Sequence, residues 1–303
     1  MSQESFINRL RCRAFVHKAN RGCYDQLSDK DFILKLHKAY FGKNLDLNNP
    51  VTFNEKIECL KLYYSNDLLT PYVDKFQAKK IVESKIGKQY VIPLLGVYDK
   101  FSDIDFSALP NSFVLKCTHD SGGLVLCHDK SRLDMAQAKA TIEKSLATDY
   151  YLRYRERPYK YVPRRIIAEE MIRVPNGKAL TDYKFFCFDG TPKFLFVATD
   201  RYVTGSHTKF DFFDMDWKHL PIVNGHPNAD PWPEKPENFQ DMVKIARKLS
   251  AGFPFVRIDL YNVDGRIYFG EYTFFHNAGV IHFEPEEWDH TFGTYLHLPT
   301  SSH

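Results

Sequence analysis

The chain has 303 residues, 44% hydrophobic and 15% aromatic, which suits one large or two to three small globular units and excludes a disordered chain. A formal net charge of +3 lacks the concentrated basic field that bulk-charge binding to nucleic acid needs, so no nucleic-acid partner is expected. Cys12, Cys23, Cys59, Cys117, Cys127 and Cys187 form no Cys-x-x-Cys pair, no stretch approaches the roughly 20 apolar residues that cross a bilayer, and no secretory signal opens the chain; these features predict free buried thiols and a cytoplasmic protein without a paired-cysteine zinc site.

In chain order, Arg9, Arg11, Arg13, Lys18 and Arg21 interleave with Phe6, Ile7, Leu10, Phe15 and Val16. This pattern suits a basic helix, either docked on its own protein or resting on an anionic membrane surface. Ser28 with Asp31 opens a helix carrying Phe32, Leu34, Leu36 and Tyr40. Asn48-Asn49-Pro50 breaks it, and Thr52 caps a second helix from Asn54 to Tyr64. Thr70-Pro71 opens a third element, and Asp74 to Ile86 is helical up to Gly87.

The period then changes. Residues 90–98, 113–117 and 124–127 read as strands, with the small polar loop Thr118-His119-Asp120-Ser121-Gly122-Gly123 between the last two. Residues 133–148 read as a helix, and 149–165, rich in Tyr and Arg, as a surface loop. Strands are expected at 166–173, 181–188, 192–199 and 208–213, with hairpin turns at Asn176-Gly177 and Asp189-Gly190. An irregular Pro-rich stretch at 221–236 and a helix at 237–250 follow, then a strand pair, 255–261 and 266–273, joined through Asp264-Gly265. Helices first, then mixed strands and helices with hairpins, reads as α+β.

Three constellations carry chemistry. In the last hairpin, Arg257, Asp259 and Tyr261 share a strand face and Glu271 returns towards them. Two carboxylates on adjacent strands suit magnesium, and Arg257 suits a phosphoryl or acyl-phosphate group; taken alone, the hairpin equally suits a surface salt-bridge cluster. Lys116, on an apolar strand before Ser121-Gly122-Gly123, suits an anion cradled by backbone amides, or a snorkelling lysine in an ordinary strand-turn-strand. Ile166 to Ile172 followed by Asp182-Tyr183-Lys184 suits a flat base against Met171 and Ile172, ribose hydroxyls on Asp182 and phosphate on Lys184, or else solvated hairpin positions.

The order of these features resembles the ATP-grasp superfamily, and within it the TupA-like group linked to teichuronopeptide and other cell-surface polysaccharide biosynthesis. The resemblance runs from about residue 30 to 293. It is carried by Thr52-Phe53-Asn54-Glu55-Lys56, Asp74-Lys75, Phe113-Val114-Leu115-Lys116-Cys117, Ile167-Ala168-Glu169-Glu170, Asp182-Tyr183-Lys184-Phe185-Phe186, Arg257-Ile258-Asp259 and Phe269-Gly270-Glu271.

The resemblance implies an ATP-grasp fold holding nucleotide between two α+β lobes. Residues 1–73 would form an N-terminal helical region, 74–165 the central lobe, and 166–303 the C-terminal lobe. It implies Lys75 and Lys116 as phosphate lysines, Ser121, Gly122 and Gly123 as a flexible lid, and Glu169, Glu170, Met171 and Ile172 as the adenine hinge. Asp182 resembles the ribose acid, Lys184 a phosphate contact, Arg257 the arginine that steadies an acyl phosphate, and Asp259 and Glu271 the magnesium ligands. Many relatives have Glu-x-Asn where this chain reads Glu271-Tyr272-Thr273, so either Thr273 or Asn277 stands in, and a second metal is left open.

The implied reaction is ATP-dependent joining of a carboxylate to an amine through an acyl phosphate. The implied partners are a uronic acid of a surface glycan or its precursor and an amino acid, with Tyr159, Arg164, Arg201, His207, Asp211 and Asp214 as candidate sugar contacts. The alternative is a sugar-nucleotide-dependent glycosyltransferase using Asp214-Met215-Asp216 on a metal diphosphate. Retention of Lys116, Asp259 and Glu271 argues against a non-catalytic assembly factor.

Overall fold

The computed structural model describes residues 3–175, 179–201 and 206–299, with side chains from residue 10 onward. The expected Asn176-Gly177 turn lies outside the described residues.

Helix α1 (Gln3–Asn20) buries Phe15 against Phe32 of α2 (Asp29–Phe41). Ser28 caps α2 by accepting from the Asp31 amide at 3.1 Å, and Gly42 ends it in the left-handed region. Helix α3 (Phe53–Cys59) opens on a capping box between Thr52 and Glu55 and runs into a π turn, Leu60–Tyr64, where the expected helix continued as α. This segment binds the C-terminal helix α9 (Glu287–Tyr295). The Asn54 amide donates to Asp289 at 2.9 Å, and the Lys56 ammonium donates to the carbonyls of Gly293 (2.8 Å) and Leu296 (3.0 Å). Thr52 to Lys56 therefore docks the chain's end and lies outside the cleft wall.

Helices α4 (Thr70–Val73) and α5 (Gln77–Ile86) flank Asp74 and Lys75. The fully buried Asp74 accepts from the Phe76 amide at 2.9 Å and pairs with Arg165 at 2.9 Å. Strands β1 (Leu94–Tyr98), β2 (Phe113–Cys117), β3 (Leu124–Cys127) and β4 (Ile166–Glu170) form an antiparallel sheet in the order β1-β4-β2-β3. Helix α6 (Met135–Ala147) covers it through Ala138 and Ile142, which join the core of Phe113, Leu115, Cys117, Ile166 and Ala168.

Residues 149–165 are not a surface loop. They hold α7 (Tyr150–Tyr154) and a 3-10 turn (Arg157–Tyr161), and Tyr151, Arg155, Glu156 and Val162 are buried. Tertiary contacts hold them there; Arg155 Nη2, for example, donates to the Tyr24 carbonyl at 2.7 Å.

Strands β5 (Asp182–Phe188), β6 (Thr191–Thr199), β7 (Lys209–Asp214), β8 (His219–Leu220), β9 (Phe255–Val263) and β10 (Arg266–Thr273) form a second antiparallel sheet, ordered β10-β9-β5-β6-β7-β8. The hairpins at Asp189-Gly190 and Asp264-Gly265 have positive φ at both turn residues, as the sequence predicts. Helix α8 (Phe239–Ser250) covers one face, with Phe239 6.0 Å from Phe185 between ring centroids. On the other face, Phe186, Phe188 and Phe255 pack against Phe53 and Phe292. Beyond these rings the same face turns polar, with Asp182, Lys184, Asp259 and Glu271, and there a cleft opens between the two sheets.

Candidate active site

The cleft has a volume of about 770 Å³. Strand alternation and register aim its polar side chains. In the β5–β9 pairing Lys184 stands opposite Asp259, and in the β9–β10 pairing Glu271 stands opposite the same Asp259. Three adjacent strands thus present Lys184, Asp259 and Glu271 in one row. A β-bulge between Phe269 and Glu271 keeps Glu271 on this face, since uninterrupted pairing would set it opposite the core residue Ile258. Gly270 occupies the bulge, where an added Cβ would lie 3.1 Å from the Asp259 carbonyl oxygen.

The hairpin is a salt-bridge cluster, but a buried one. Arg257 Nε and Nη2 donate to the two Asp259 oxygens at 2.7 and 2.8 Å, and Lys184 donates to Asp259 as well. Arg257 Nη2 also reaches Glu271 at 3.2 Å and Thr273 Oγ1 at 3.0 Å. Burial pushes the Asp259 carboxyl up, but Arg257 and Lys184 outweigh it and hold the group well below the usual carboxylate range. Arg257 Nη1 donates to Nδ1 of the buried His276 at 2.9 Å. Burial, reinforced by Arg257, keeps that imidazole neutral. Sequence reading missed His276 because nothing in its own segment marks it; its partner lies on β9.

Asp182 lines the cleft, and its Oδ1 has no hydrogen-bond partner among the described residues. Its Oδ2 pairs with Lys184 at 3.0 Å and with Arg201. Thr273 joins the Arg257 cluster, whereas the Asn277 amide bonds to His276 at 3.2 Å. Neither residue lines the cleft, nor does Arg257, which stands behind Asp259.

Across the cleft, Lys116 is no snorkelling lysine. It pairs with Glu169 at 2.6 Å, and Lys79 pairs with the other oxygen of Glu169 at 2.6 Å. Lys79 escaped the sequence reading because its partner lies 90 residues away. Burial pushes the Glu169 carboxyl up, yet the two lysines hold it down at about 2. Glu169 therefore sits inside a lysine cage on the cleft wall, and Glu170, Met171 and Ile172 continue that wall at the end of β4. The Lys75 ammonium donates to the Asp120 carbonyl, and its amide is tied to the Thr118 carbonyl at 3.2 Å. Burial lowers its pKa against the pull of Glu271 and Asp120.

In the loop after β2, the Gly123 amide donates to the Asp120 carboxylate (3.1 and 3.2 Å), which Ser145 also holds at 2.5 Å. Ser121 and Gly123 line the cleft and Gly122 does not. The Ser121 hydroxyl bonds to Tyr150 at 3.0 Å, and Tyr150 packs edge-on to Tyr159 at 4.9 Å. Of the sugar-contact candidates, Tyr159 and Arg201 line the cleft. Arg164 pairs with Asp149 at 3.5 Å, His207 is exposed, and Asp211 is buried against the Ala229 amide and His219 at 3.2 Å. Asp214 accepts from the amides of Asp216 (3.0 Å) and Lys218 (2.9 Å), so Asp-x-Asp builds a turn away from the cleft and the glycosyltransferase motif has no support.

The donor set suits magnesium. Two carboxylates on one face, one of them with a half-exposed side chain, suit a hard cation that takes its remaining ligands from water and phosphate oxygens.

The protein is an ATP-dependent ligase of the ATP-grasp class. Residues 55–297 match the family described as TupA-like ATPgrasp, and the chain belongs to it. Comparison with curated proteins finds no match. Among solved structures, the chain is similar to the D-alanine–D-alanine ligase from Bacillus anthracis complexed with ATP (15% identity, 82% of this chain and 72% of that one, TM-score 0.44). It is also similar to the Helicobacter pylori D-alanine–D-alanine ligase (11%, 81% and 69%, TM-score 0.43). A third is the ATP-grasp ligase PsnB complexed with minimal precursor, Mg and ADP (10%, 80% and 57%, TM-score 0.36). The chain spans 57% to 72% of these structures' own lengths.

Proposed function

We propose that this protein uses ATP and magnesium to join a carboxylate to an amine, the carboxylate being a uronic acid of a cell-surface glycan or its precursor and the amine that of an amino acid. The observation that carries the ligase reading is the row Lys184–Asp259–Glu271 facing the lysines 75, 79 and 116 across one cleft. The glycan and the amino acid rest on the family alone.

In this reading, the two lobes are built on the β1–β4 sheet and the β5–β10 sheet, so the boundary expected at 165/166 moves past β4, which pairs with β1 and β2, and residues 1–73 serve as a helical support. The adenine lies along Glu170, Met171 and Ile172. The lysines 75 and 116 and the amides of Ser121 and Gly123 receive the phosphates. Asp259 and Glu271 would hold magnesium, which supplies charge neutralisation at the phosphoryl oxygens. Lys184 and Arg257 counter the charge that develops as the phosphoryl passes to the carboxylate, and the amine then displaces phosphate. Thr273 belongs with Arg257 in this scheme and Asn277 with His276. The exposed Arg11, Arg13 and Lys18 of α1 suit contact with an anionic membrane surface where such a glycan is built. Among the described residues no helix is long and apolar enough to cross a membrane.

A thermal-shift panel tests the nucleotide. ATP with magnesium is expected to raise the melting temperature, and UDP- and GDP-sugars are not. Stabilisation by a sugar nucleotide with none by ATP would overturn the reading.

A further inference from the structure

The scheme above gives His276 no task, although it is fully buried and joined to the metal hairpin. Arg257 carries donors only, so its Nη1, at 2.9 Å, donates to His276 Nδ1, and the imidazole proton sits on Nε2. Nε2 donates to Asn224 Oδ1 at 3.1 Å, with the Asn277 side-chain amide 3.2 Å from the same nitrogen, and Asn224 Nδ2 donates to the His282 carbonyl at 3.1 Å. A buried line of hydrogen bonds thus runs from the backbone through the imidazole to Arg257 and on to both oxygens of Asp259, at 2.7 and 2.8 Å.

Nη1 of Arg257 has no other acceptor among the described residues, because Nε and Nη2 serve the two carboxylates and Thr273. The imidazole that meets it is itself held, in edge contact with Phe186 at 4.8 Å and with Phe196 at 5.9 Å between ring centroids. The backbone beside it is constrained as well. Asn277 and Ala278 stand in the left-handed region, with φ of 44° and 56°, which non-glycine residues occupy only where surrounding contacts hold them. Lys61 supplies one such contact, donating to the Ala278 carbonyl at 2.8 Å. Asn54, from the Thr52 to Lys56 stretch that lies outside the cleft, clamps the carbonyl and amide of Ile281 at 2.9 and 3.3 Å.

We propose that His276 is a positioning residue: its Nδ1 fixes the plane of the Arg257 guanidinium, and Arg257 in turn fixes the Asp259 carboxylate that lines the cleft. The proposal rests on the ligase reading, in which Asp259 meets magnesium. It also gives Asn54 and Lys61 a use, as anchors of the turn that carries His276. Outer partners of metal ligands act in this way, by orienting the groups that touch the ion.

Manganese binding in the presence of a non-hydrolysable ATP analogue, read by electron paramagnetic resonance, tests this without turnover. Two polar substitutions separate positioning from packing. Asparagine places an acceptor oxygen where Nδ1 stands, whereas glutamine reaches the place of Nε2 and leaves Nη1 of Arg257 unmatched. His276→Asn is expected to stay within about threefold of wild-type manganese affinity and His276→Gln to be about tenfold weaker. Both melting curves are expected to fall alike, with metal-free binding of the analogue unchanged within about twofold. Equal manganese affinities in the two variants, or the reverse order, overturn the proposal. If neither variant folds, Asn224→Ser, which frees the imidazole without replacing it, is expected to weaken manganese binding by about three- to tenfold, and wild-type affinity there overturns the proposal. A wild type that binds no analogue sinks the ligase reading and the proposal together; one that binds the analogue but no manganese overturns the proposal alone.

Discussion

Lys184 stands directly opposite Asp259 in the β5–β9 pairing, and the two buried side chains form an ion pair on the cleft face. Asp259 therefore answers to two cations, Lys184 and Arg257, while Glu271, half-exposed, has Arg257 as its one ion-pair partner among the described residues.

That asymmetry separates the two magnesium candidates. Both Asp259→Asn and Glu271→Gln are expected to cut turnover by orders of magnitude. Their stabilities differ in metal-free buffer. Asp259→Asn strands two buried cations and is expected to cost about 3–5 kcal/mol. Glu271→Gln is expected to change stability by less than about 1 kcal/mol. Denaturant unfolding in chelator, beside ADP release, checks both. Equal stabilities would mean that the Asp259 cluster contributes little to the fold.

Lys116→Ala is expected to weaken ATP binding about ten- to hundredfold, the size of a lost charge-assisted hydrogen bond, while Lys79 keeps Glu169 paired. Calorimetry with ATP and magnesium measures it. An unchanged affinity would assign Lys116 to Glu169 alone.

Glu169 predicts a pH dependence. Its carboxyl is held down from 4.5 to about 2, so its stabilisation is complete above the unfolded value and is lost as pH falls from about 5 towards 2. The loss over that window is roughly 3 kcal/mol. Glu169→Gln is expected to be destabilised at pH 7 and to converge on wild type near pH 2 to 3. Parallel melting curves at all pH values would contradict the lysine cage.

The two glycines of the loop after β2 are expected to differ. A Cβ at Gly123 would meet Ser145 Oγ at 2.3 Å and Cys117 Sγ at 2.6 Å, whereas at Gly122 it meets only Asp120 at 3.5 Å. Gly123→Ala is expected to cost about 1–3 kcal/mol by overpacking and to release the Asp120 clamp. Gly122→Ala is expected to be nearly neutral, and melting curves of the pair decide the matter.

Much of this was legible in the sequence because it is local. The alternation in Val256 to Tyr261 announces a strand with one polar face, Thr52 with Glu55 announces a cap, and Asp264-Gly265 announces a tight hairpin. The order of the lysine, glycine and carboxylate motifs carried the family. What escaped depends on partners far along the chain. Lys79 gains its meaning from Glu169, and His276 from Arg257. Residues 149–165 look solvated because they are polar, yet the Tyr24 carbonyl takes the Arg155 guanidinium and the Lys61 ammonium takes the Tyr154 carbonyl away from the surface. Helix α9 has little pattern of its own and is held by Asn54 and Lys56.

Gly270 makes the last hairpin two strands spliced out of phase. Upstream of it, β10 follows the alternation set by the Asp264-Gly265 turn; downstream, it follows the alternation the carboxylates require. Removing this one residue would close the bulge and still leave Glu271 opposite Asp259, whereas drawing Gly270 into the ladder opposite Asp259 would invert everything after it, setting Glu271 opposite Ile258 and turning Tyr272 to the cleft face. The hairpin's chemistry thus depends on a reading frame held in the backbone: residue 270 is an insertion that the bulge absorbs, so that the frame of the carboxylates is kept.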